Sequence, residues 1–357
     1  MLAQEIIHSI KRPKIGDNVV IKLDMVKAYD RVSWSFICLV MRRMGFGEIF
    51  IDMVWRLMAN NWYSVIVNGG RHGFFDSTRG LKQGDPLSPA LFVIGAEVLS
   101  RMLNNLHQHY LYRGFYMEKK GPLINHLSFA DDIISFTSTC KYSLKLIMKT
   151  LQRYEKSLGQ LINKEKSQCM LPLNTNPEIM SRITSITEFK HTHGPITYLG
   201  CPLYIGRQRI IYFTSMVSKV TSRIRGWQTK VLNYGGRAAL VKYVLQSLPI
   251  HLLSAITPTA TTLKQIKSLI ANFFWGWDKE KRKYHWASWE TLSYPTEEGG
   301  IGMKNLKDVC QALQYKQWWT FRYKKTLWGS FLRAKYCQRA HPVIKKWDTV
   351  NHLCGST

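Results

Sequence analysis

The chain has 357 residues, 45% of them hydrophobic, enough for real cores in two or three domains and incompatible with a disordered or low-complexity chain. Its 50 Lys and Arg against 23 Asp and Glu give a net charge of +27, which favours a polyanionic partner, nucleic acid above an anionic membrane surface. No apolar run reads as the roughly 18 residues of a membrane span, no signal peptide opens the chain, and seven scattered cysteines without a CxxC fit free thiols in a reducing, intracellular compartment better than a disulfide framework.

In chain order, residues 19–23 read as a strand ending at Asp24. Ser33 then predicts the cap of a helix to about residue 44, with Trp34, Ile37, Val40, Met41 and Met44 on one side and Gly45 as the stop. Residues 63–67 and 73–77 predict a hairpin turning at Asn68-Gly69. Ser88 and Pro89 form a cap and first-turn pair for an apolar, buried helix from 90 to about 106. In "HLSFADDIISF" strand formers flank Asp131 and Asp132 and place both at a hairpin bend. Residues 140–158 predict an amphipathic helix, and "GQLINKEKSQCM" a turn and a strand.

The adjacent aspartates suit a solvated turn or a metal site. If the strand ending at Asp24 pairs with the hairpin, three carboxylates converge, an arrangement that is costly unless cations hold it. Oxygen ligands at that density suit Mg²⁺, and two such ions about 3.5–4 Å apart serve phosphoryl transfer. Adjacent antiparallel strands for Asp24 and Asp131, backed by the helices near Ser33 and Pro89, are therefore expected.

The ordered set "KLDMVKAYD", "GLKQGDPLSP", "FADD", "GQLINKEKS" and "YLGCPL" resembles the palm motifs of reverse transcriptases, and in particular the polymerases of plant non-LTR (LINE-type) retrotransposons. Later stretches, "GWQTKVLNYGGRAALVKYVLQSLP", "FFWG" and "PTEEGGIGMKNL", look like the same lineage. The resemblance implies an α+β fold: a polymerase palm of ferredoxin-like antiparallel sheet packed on helices, then a helical thumb and a small, mostly helical C-terminal region. It implies RNA-directed DNA synthesis with two Mg²⁺ ions, Mn²⁺ being an alternative, on an RNA template and DNA primer with deoxynucleoside triphosphates, in the nucleus or a cytoplasmic ribonucleoprotein. No membrane is implied.

By motif, Asp24 and Asp131 match the metal ligands, and Asp132 the less essential neighbour. Tyr29 matches the aromatic gate against a 2′-hydroxyl, though the residue alone suits a core aromatic. Gln83 and Gly84 match the lining of the nucleotide and template pocket, or else a turn before a helix. Lys166 matches the lysine near the leaving pyrophosphate; a solvated charge is the alternative, and Lys164 a rival. Tyr198, Leu199 and Gly200 match the primer grip, otherwise an apolar strand.

Residues 1–205 are thus expected to form the palm with a remnant of fingers, 206–275 the thumb, and 276–357 a basic, Trp-rich region. The first part has a net charge of +9 and the remainder +18. Ile210, Phe213, Val217, Val220, Ile224 and Trp227 fall near helical spacing among Arg207, Arg209, Lys219, Arg223 and Arg225, and runs at 237–247 and 263–274 are also helical. Such a bundle suits duplex tracking or a plain soluble face. Interleaved tryptophans and cations further on suit base stacking or a small core. Cys337, His341, His352 and Cys354 form a cramped zinc pattern. Most of the family's fingers are not evident ahead of Asp24, so the alternative is an inactive retrotransposon-derived fragment that only binds nucleic acid. A group II intron maturase shares the palm; an RNA-dependent RNA polymerase would more typically carry Gly-Asp-Asp than Ala130-Asp131-Asp132.

Overall fold

β-Forming residues on both faces, buried at every position but Lys22, make β1 (Asn18–Leu23) the central strand of a five-stranded sheet in the computed structural model, which describes residues 1–10, 17–116, 121–228, 232–276 and 284–337. Its neighbours β5 (Asp132–Ser138) and β6 (Gln168–Met170) are both antiparallel to it. β4 (His126–Phe129) lies outside β5 and β7 (Lys190–Thr192) outside β6, giving the order β4-β5-β1-β6-β7. β6 and β7 run parallel, so the expected antiparallel sheet carries one parallel edge strand.

Five helices cover this sheet or extend from it. They are α2 (Trp34–Arg43), α3 (Glu48–Ala59), α4 (Ser88–Asn105), α5 (Lys141–Leu158) and α6 (Pro177–Thr187). Ile21 and Leu23 of β1 share one core with Ile37 and Met41 of α2, Leu91 and Leu99 of α4, and Ile147 and Leu151 of α5. Ser33 caps α2 by accepting the Phe36 N–H, and Gly45, at φ +89°, stands just past its end. Ser88 does not act as the expected cap. It is buried within the first turn of α4, and the Asp85 carboxylate takes the Leu87 N–H at 2.7 Å instead. Nor is α4 buried all round: Val93 is 59% exposed. β2 (Trp62–Val67) and β3 (Gly70–Asp76) turn at Asn68 (φ +49°) and Gly69 (φ +83°), the expected primed turn, with β3 starting earlier than its sequence suggests.

The chain divides into two compact units, one of Ser9–Met117 and Leu123–Ile196, the other of Met1–His8, Glu118–Pro122 and Thr197–Thr357. The division falls inside β8 (Ile196–Tyr198), which pairs with β9 (Cys201–Leu203), rather than near residue 205. The second unit is helical: α1 (Leu2–His8), α7 (Thr214–Gln228), α8 (Tyr234–Leu240), α9 (Ile250–Ala255), α10 (Ala260–Trp275), α11 (Trp289–Leu292), α12 (Leu306–Tyr323) and α13 (Leu327–Tyr336). Phe213, Val220 and Ile224 pack with Val241, Leu245, Ile266 and Phe274, and the same core takes in Trp289, Leu306 and Cys310. The stretches expected to form a thumb and a separate C-terminal region therefore share one core.

One stretch, Tyr234–Ala255, is long and apolar enough to cross a membrane by length and composition, contrary to the sequence reading. It carries Arg237 and Lys242, changes to π geometry over Val241–Leu245, and buries Val241, Leu245, Leu252 and Leu253 in the core just described. These four residues tie the stretch to that core, and 33% of its most apolar part is buried. The six described cysteines are free, and burial pushes the Cys169 thiol up to about 12.

Candidate active site

Leu23, the last residue of β1, pairs with Ile133 of β5. The next step of that antiparallel register sets Asp24 beside Asp132, at the end of the sheet where Ala130 and Asp131 turn β4 into β5. Asp24 and Asp132 are half-buried and Asp131 is exposed. The turn requires φ +52° at Ala130, a left-handed conformation that costs an L-residue on the order of 1–2 kcal/mol. A positive φ is what a two-residue hairpin loop demands, and it leaves Asp131 at the tip with Asp132 opening β5. Lys22 reaches Asp132 at 3.7 Å and partly offsets the repulsion.

Among the described residues no three His, Cys, Asp or Glu side chains stand together as a ready-made metal cage. The donor chemistry nonetheless fits a hard divalent cation. These are carboxylate oxygens with solvent access, and Mg²⁺ is commonly held by one or two carboxylates with waters and substrate phosphates completing its shell.

The loop after Asp24 is fastened from two sides. On one side Val26 N–H donates to Leu161 O at 2.8 Å, Gln160 Nε2 to Ala28 O at 3.0 Å, Arg31 Nε to Gly159 O at 3.1 Å and Ser33 N–H to Leu158 O at 3.0 Å. On the other, Leu81 N–H donates to Tyr29 O at 2.9 Å, Gly80 N–H to Val32 O at 2.8 Å and Trp34 Nε1 to Gly80 O at 2.6 Å. The Gln83 amide donates to Asp30 Oδ1 at 3.3 Å. Asp24 is itself held through its backbone. Its N–H donates to the buried Ser167 hydroxyl at 3.1 Å, and its carbonyl accepts from Asn163 N–H at 2.8 Å. Three of the sequence motifs thus meet around one loop.

Tyr29 lies flat on Phe92 of α4, with ring centroids 4.7 Å apart and planes 10° from parallel, half-buried against the core. This packing is that of the core aromatic the residue alone suits. Lys164 and Lys166 are both exposed, but Lys164 is paired with Glu188 at 2.8 Å, whereas Lys166 has no ion pair among the described residues. Gln83 and Gly84 are exposed, and Gly84 has φ +89°.

Sequence reasoning missed Ser167, Asn163, Gln160 and Gly80, whose roles consist of contacts far apart in the chain. The signal for Gly80 was its place at the head of "GLKQGDP". It has φ +94°, and a Cβ there would stand 2.7 Å from the Asp30 carbonyl oxygen. Gly80→Ala is expected to destabilise the first unit by about 2–3 kcal/mol, from backbone strain plus the lost approach. Gly84→Ala, where the same φ meets open space, should cost about 1 kcal/mol. Urea midpoints of the two variants check the difference, and equal losses would contradict the docking of the two loops.

In the second unit Tyr198, Leu199 and Gly200 span the tip of the β8–β9 hairpin, with φ +49° at Leu199 and +73° at Gly200, and His251 Nε2 lies 2.9 Å from Leu199 O. Arg207, Arg209, Lys219, Arg223 and Arg225 are exposed on or just before α7, with no ion pair among the described residues. Of the zinc pattern only Cys337 lies within the described residues; His341, His352 and Cys354 lie outside them.

Residues 2–203 match the reverse transcriptase (RNA-dependent DNA polymerase) family. An Arabidopsis thaliana protein described provisionally as a ribonuclease H protein is 36% identical over 125 residues, 35% of this chain and 20% of that protein. The transposon TX1 149 kDa protein of Xenopus laevis is 22% identical over 93% of this chain and 25% of its own length. The Pol polyprotein of a type-1 retrotransposable element R2 from Popillia japonica is 32% identical over 42% of this chain and 20% of its own. The chain thus spans a quarter or less of the length of these relatives. Apo telomerase from Candida tropicalis superposes with TM-score 0.43 and 13% identity over 93% of this chain and 55% of that one, too loose a match to bear on the site. With more than half its length matched, the chain belongs to the reverse transcriptase family.

Proposed function

We propose that this chain is the RNA-directed DNA polymerase portion of a non-LTR retrotransposon of plant lineage, extending a DNA primer on an RNA template inside the cell, in the nucleus or a cytoplasmic ribonucleoprotein. The observation that carries the reading is the register that sets Asp24 beside the Asp131–Asp132 turn, with the loop between Asp24 and Ser33 locked by two further motifs. Asp24 and Asp131 are assigned as the anionic ligands for two divalent cations, Mg²⁺ or Mn²⁺, and Asp132 as an accessory acid shared with Lys22. Bound there, the cations would activate the primer 3′-hydroxyl and neutralise charge on the leaving pyrophosphate. Lys166, unlike Lys164, has an ammonium free of ion pairs among the described residues and is assigned to the departing phosphates. Gln83 and Gly84 line the nucleotide and template pocket, and Tyr198, Leu199 and Gly200 form the primer grip. The exposed cations of α7, without ion pairs among the described residues, suit the phosphates of a template–primer duplex.

Tyr29 is assigned as the gate that excludes a ribose 2′-hydroxyl. Its ring is braced by Phe92, so it cannot yield without losing that stack. Tyr29→Ala should leave deoxynucleotide addition within about tenfold while raising ribonucleotide incorporation at least as much, read by primer extension with each triphosphate; unchanged selectivity would remove the assignment. The function as a whole is tested by extension of a DNA primer on an RNA template with deoxynucleotides and Mg²⁺. Template-directed extension is the expected result. Binding of the template–primer without any extension would instead favour a non-catalytic nucleic-acid-binding descendant.

A further inference from the structure

Composition left the aromatic residues of the second unit divided between core and surface, and the fold separates them. Trp275 and Trp289 are buried, whereas Tyr315, Trp319 and Tyr323 are 52%, 60% and 58% exposed. These three recur every fourth residue on α12, so they rise along one face at about 6 Å per step. Trp319 and Tyr323 are in contact, their rings tilted by 35° with centroids 4.1 Å apart, and the Arg322 guanidinium sits 5.3 Å from the Tyr323 ring. The other side of α12 holds it to the unit. Leu306, Cys310 and Phe321 are buried, Gln317 Nε2 donates to Ser254 O at 2.6 Å, and Gln314 Nε2 donates to Thr257 Oγ1 at 3.0 Å. The aromatic face is therefore not a surface that the core of the unit requires.

The charge around this face identifies its occupant. Residues 306–336 contain seven basic residues and one acidic residue. Lys316, Arg322, Lys324 and Lys325 are exposed and have no ion pair among the described residues. A face for an apolar protein partner is depleted in lysine, and three of these four cations are lysines; a ladder of rings flanked by positive charge matches bases and phosphates of a single strand. A duplex hides its bases from such rings.

We propose that the Tyr315–Trp319–Tyr323 face of α12 is a platform for single-stranded nucleic acid, stacking successive bases and leaving the phosphates to Lys316, Arg322 and Lys324. It lies beyond residues 2–203, the part matched to the polymerase family, and does not depend on the palm being catalytic. Because stacking does not read the sugar, single-stranded DNA and RNA should bind within a few-fold of each other.

The test uses the full 357-residue chain carrying Asp24→Ala, so that polymerisation cannot affect the result, and fluorescently labelled oligo-dT, oligo-U and a blunt DNA duplex. Trp319→Ala should weaken oligo-dT and oligo-U binding roughly 5- to 100-fold, the range for loss of one base stack, and leave duplex binding within twofold. Trp319→Phe should retain most of the affinity, which separates stacking from a general structural effect. Unchanged single-strand affinity in Trp319→Ala, an equal fall for the duplex, or tighter binding of polyglutamate than of oligo-dT would overturn the proposal.

Discussion

Asp24→Ala should reduce RNA-templated primer extension by on the order of 10³-fold or more, since neutralisation of developing charge at such a site contributes several kcal/mol to the transition state. The backbone around residue 24 is held independently of its carboxylate. Ser167 Oγ accepts the N–H, Asn163 N–H donates to the carbonyl, and the following loop has its own bonds to Leu161 and Gln160. The substitution should therefore leave circular dichroism and the urea midpoint unchanged while removing the ligand. Asp131→Ala should lose a similar factor, because the side chain sits exposed at the turn and makes no side-chain hydrogen bond among the described residues. Asp132→Ala should lose about tenfold or less, since this acid is already engaged by Lys22. Single-turnover extension under saturating deoxynucleotide measures all three. A folded Asp24→Ala chain that extends within tenfold of its parent would place the chemistry elsewhere.

What the sequence disclosed is local, and so are the signals that disclosed it. The cap at Ser33, the stop at Gly45, the Asn68-Gly69 turn and the bend at Asp131 each depend on a few adjacent residues whose side chains or φ angles dictate one geometry. Ser88 shows the boundary of that method. Its chemistry suits a cap, but Asp85 reaches the free N–H first and Ser88 is drawn into the helix. The bonds that lock the loop after Asp24 join residues far apart in the chain, 46 positions for Trp34 and Gly80 and 132 for Gln160 and Ala28, and leave no periodic trace. The same holds for the parallel pairing of β7, fixed by α6 and the route of the chain, and for whether a given Trp is core or surface. Helix α3 was missed because it is apolar on both faces: Ile51, Val54 and Met58 are buried at helical spacing, but Ile49, Met53 and Leu57, 82%, 51% and 62% exposed, blur the stripe that identifies a helix from its pattern.

The largest loss of stability is expected at Glu5, a residue that the sequence presents as an ordinary member of an N-terminal helix. Its carboxylate and the Lys335 ammonium are 6% and 5% exposed and lie 3.0 Å apart, in the helical unit that contains both α1 and α13. Tyr336 Oη donates to the same carboxylate oxygen at 3.0 Å, and Lys335 Nζ also donates to the Glu5 carbonyl at 2.9 Å. The ammonium lies 5.7 Å from the Phe331 ring and 5.0 Å from the Tyr336 ring. Burying two ions has a desolvation cost that their attraction only roughly offsets, so the intact pair contributes little net stability; removing one partner is different, because the survivor is a buried charge without a counterion. Glu5→Ala should therefore destabilise this unit by about 3–5 kcal/mol, and Lys335→Met by a similar amount. Glu5→Leu combined with Lys335→Met should lose much less than the sum of the single changes, since neither charge remains. Because a chain of two compact units need not unfold in one step, the measurement is hydrogen exchange resolved to α1 and α13, with the urea transition of the whole chain as a second readout. Strict additivity of the single and double changes would show that the pair is not coupled. Protection of α13 that survives Glu5→Ala undiminished would show that the α1–α13 contact, between residues 330 positions apart, does not hold the end of this unit in place.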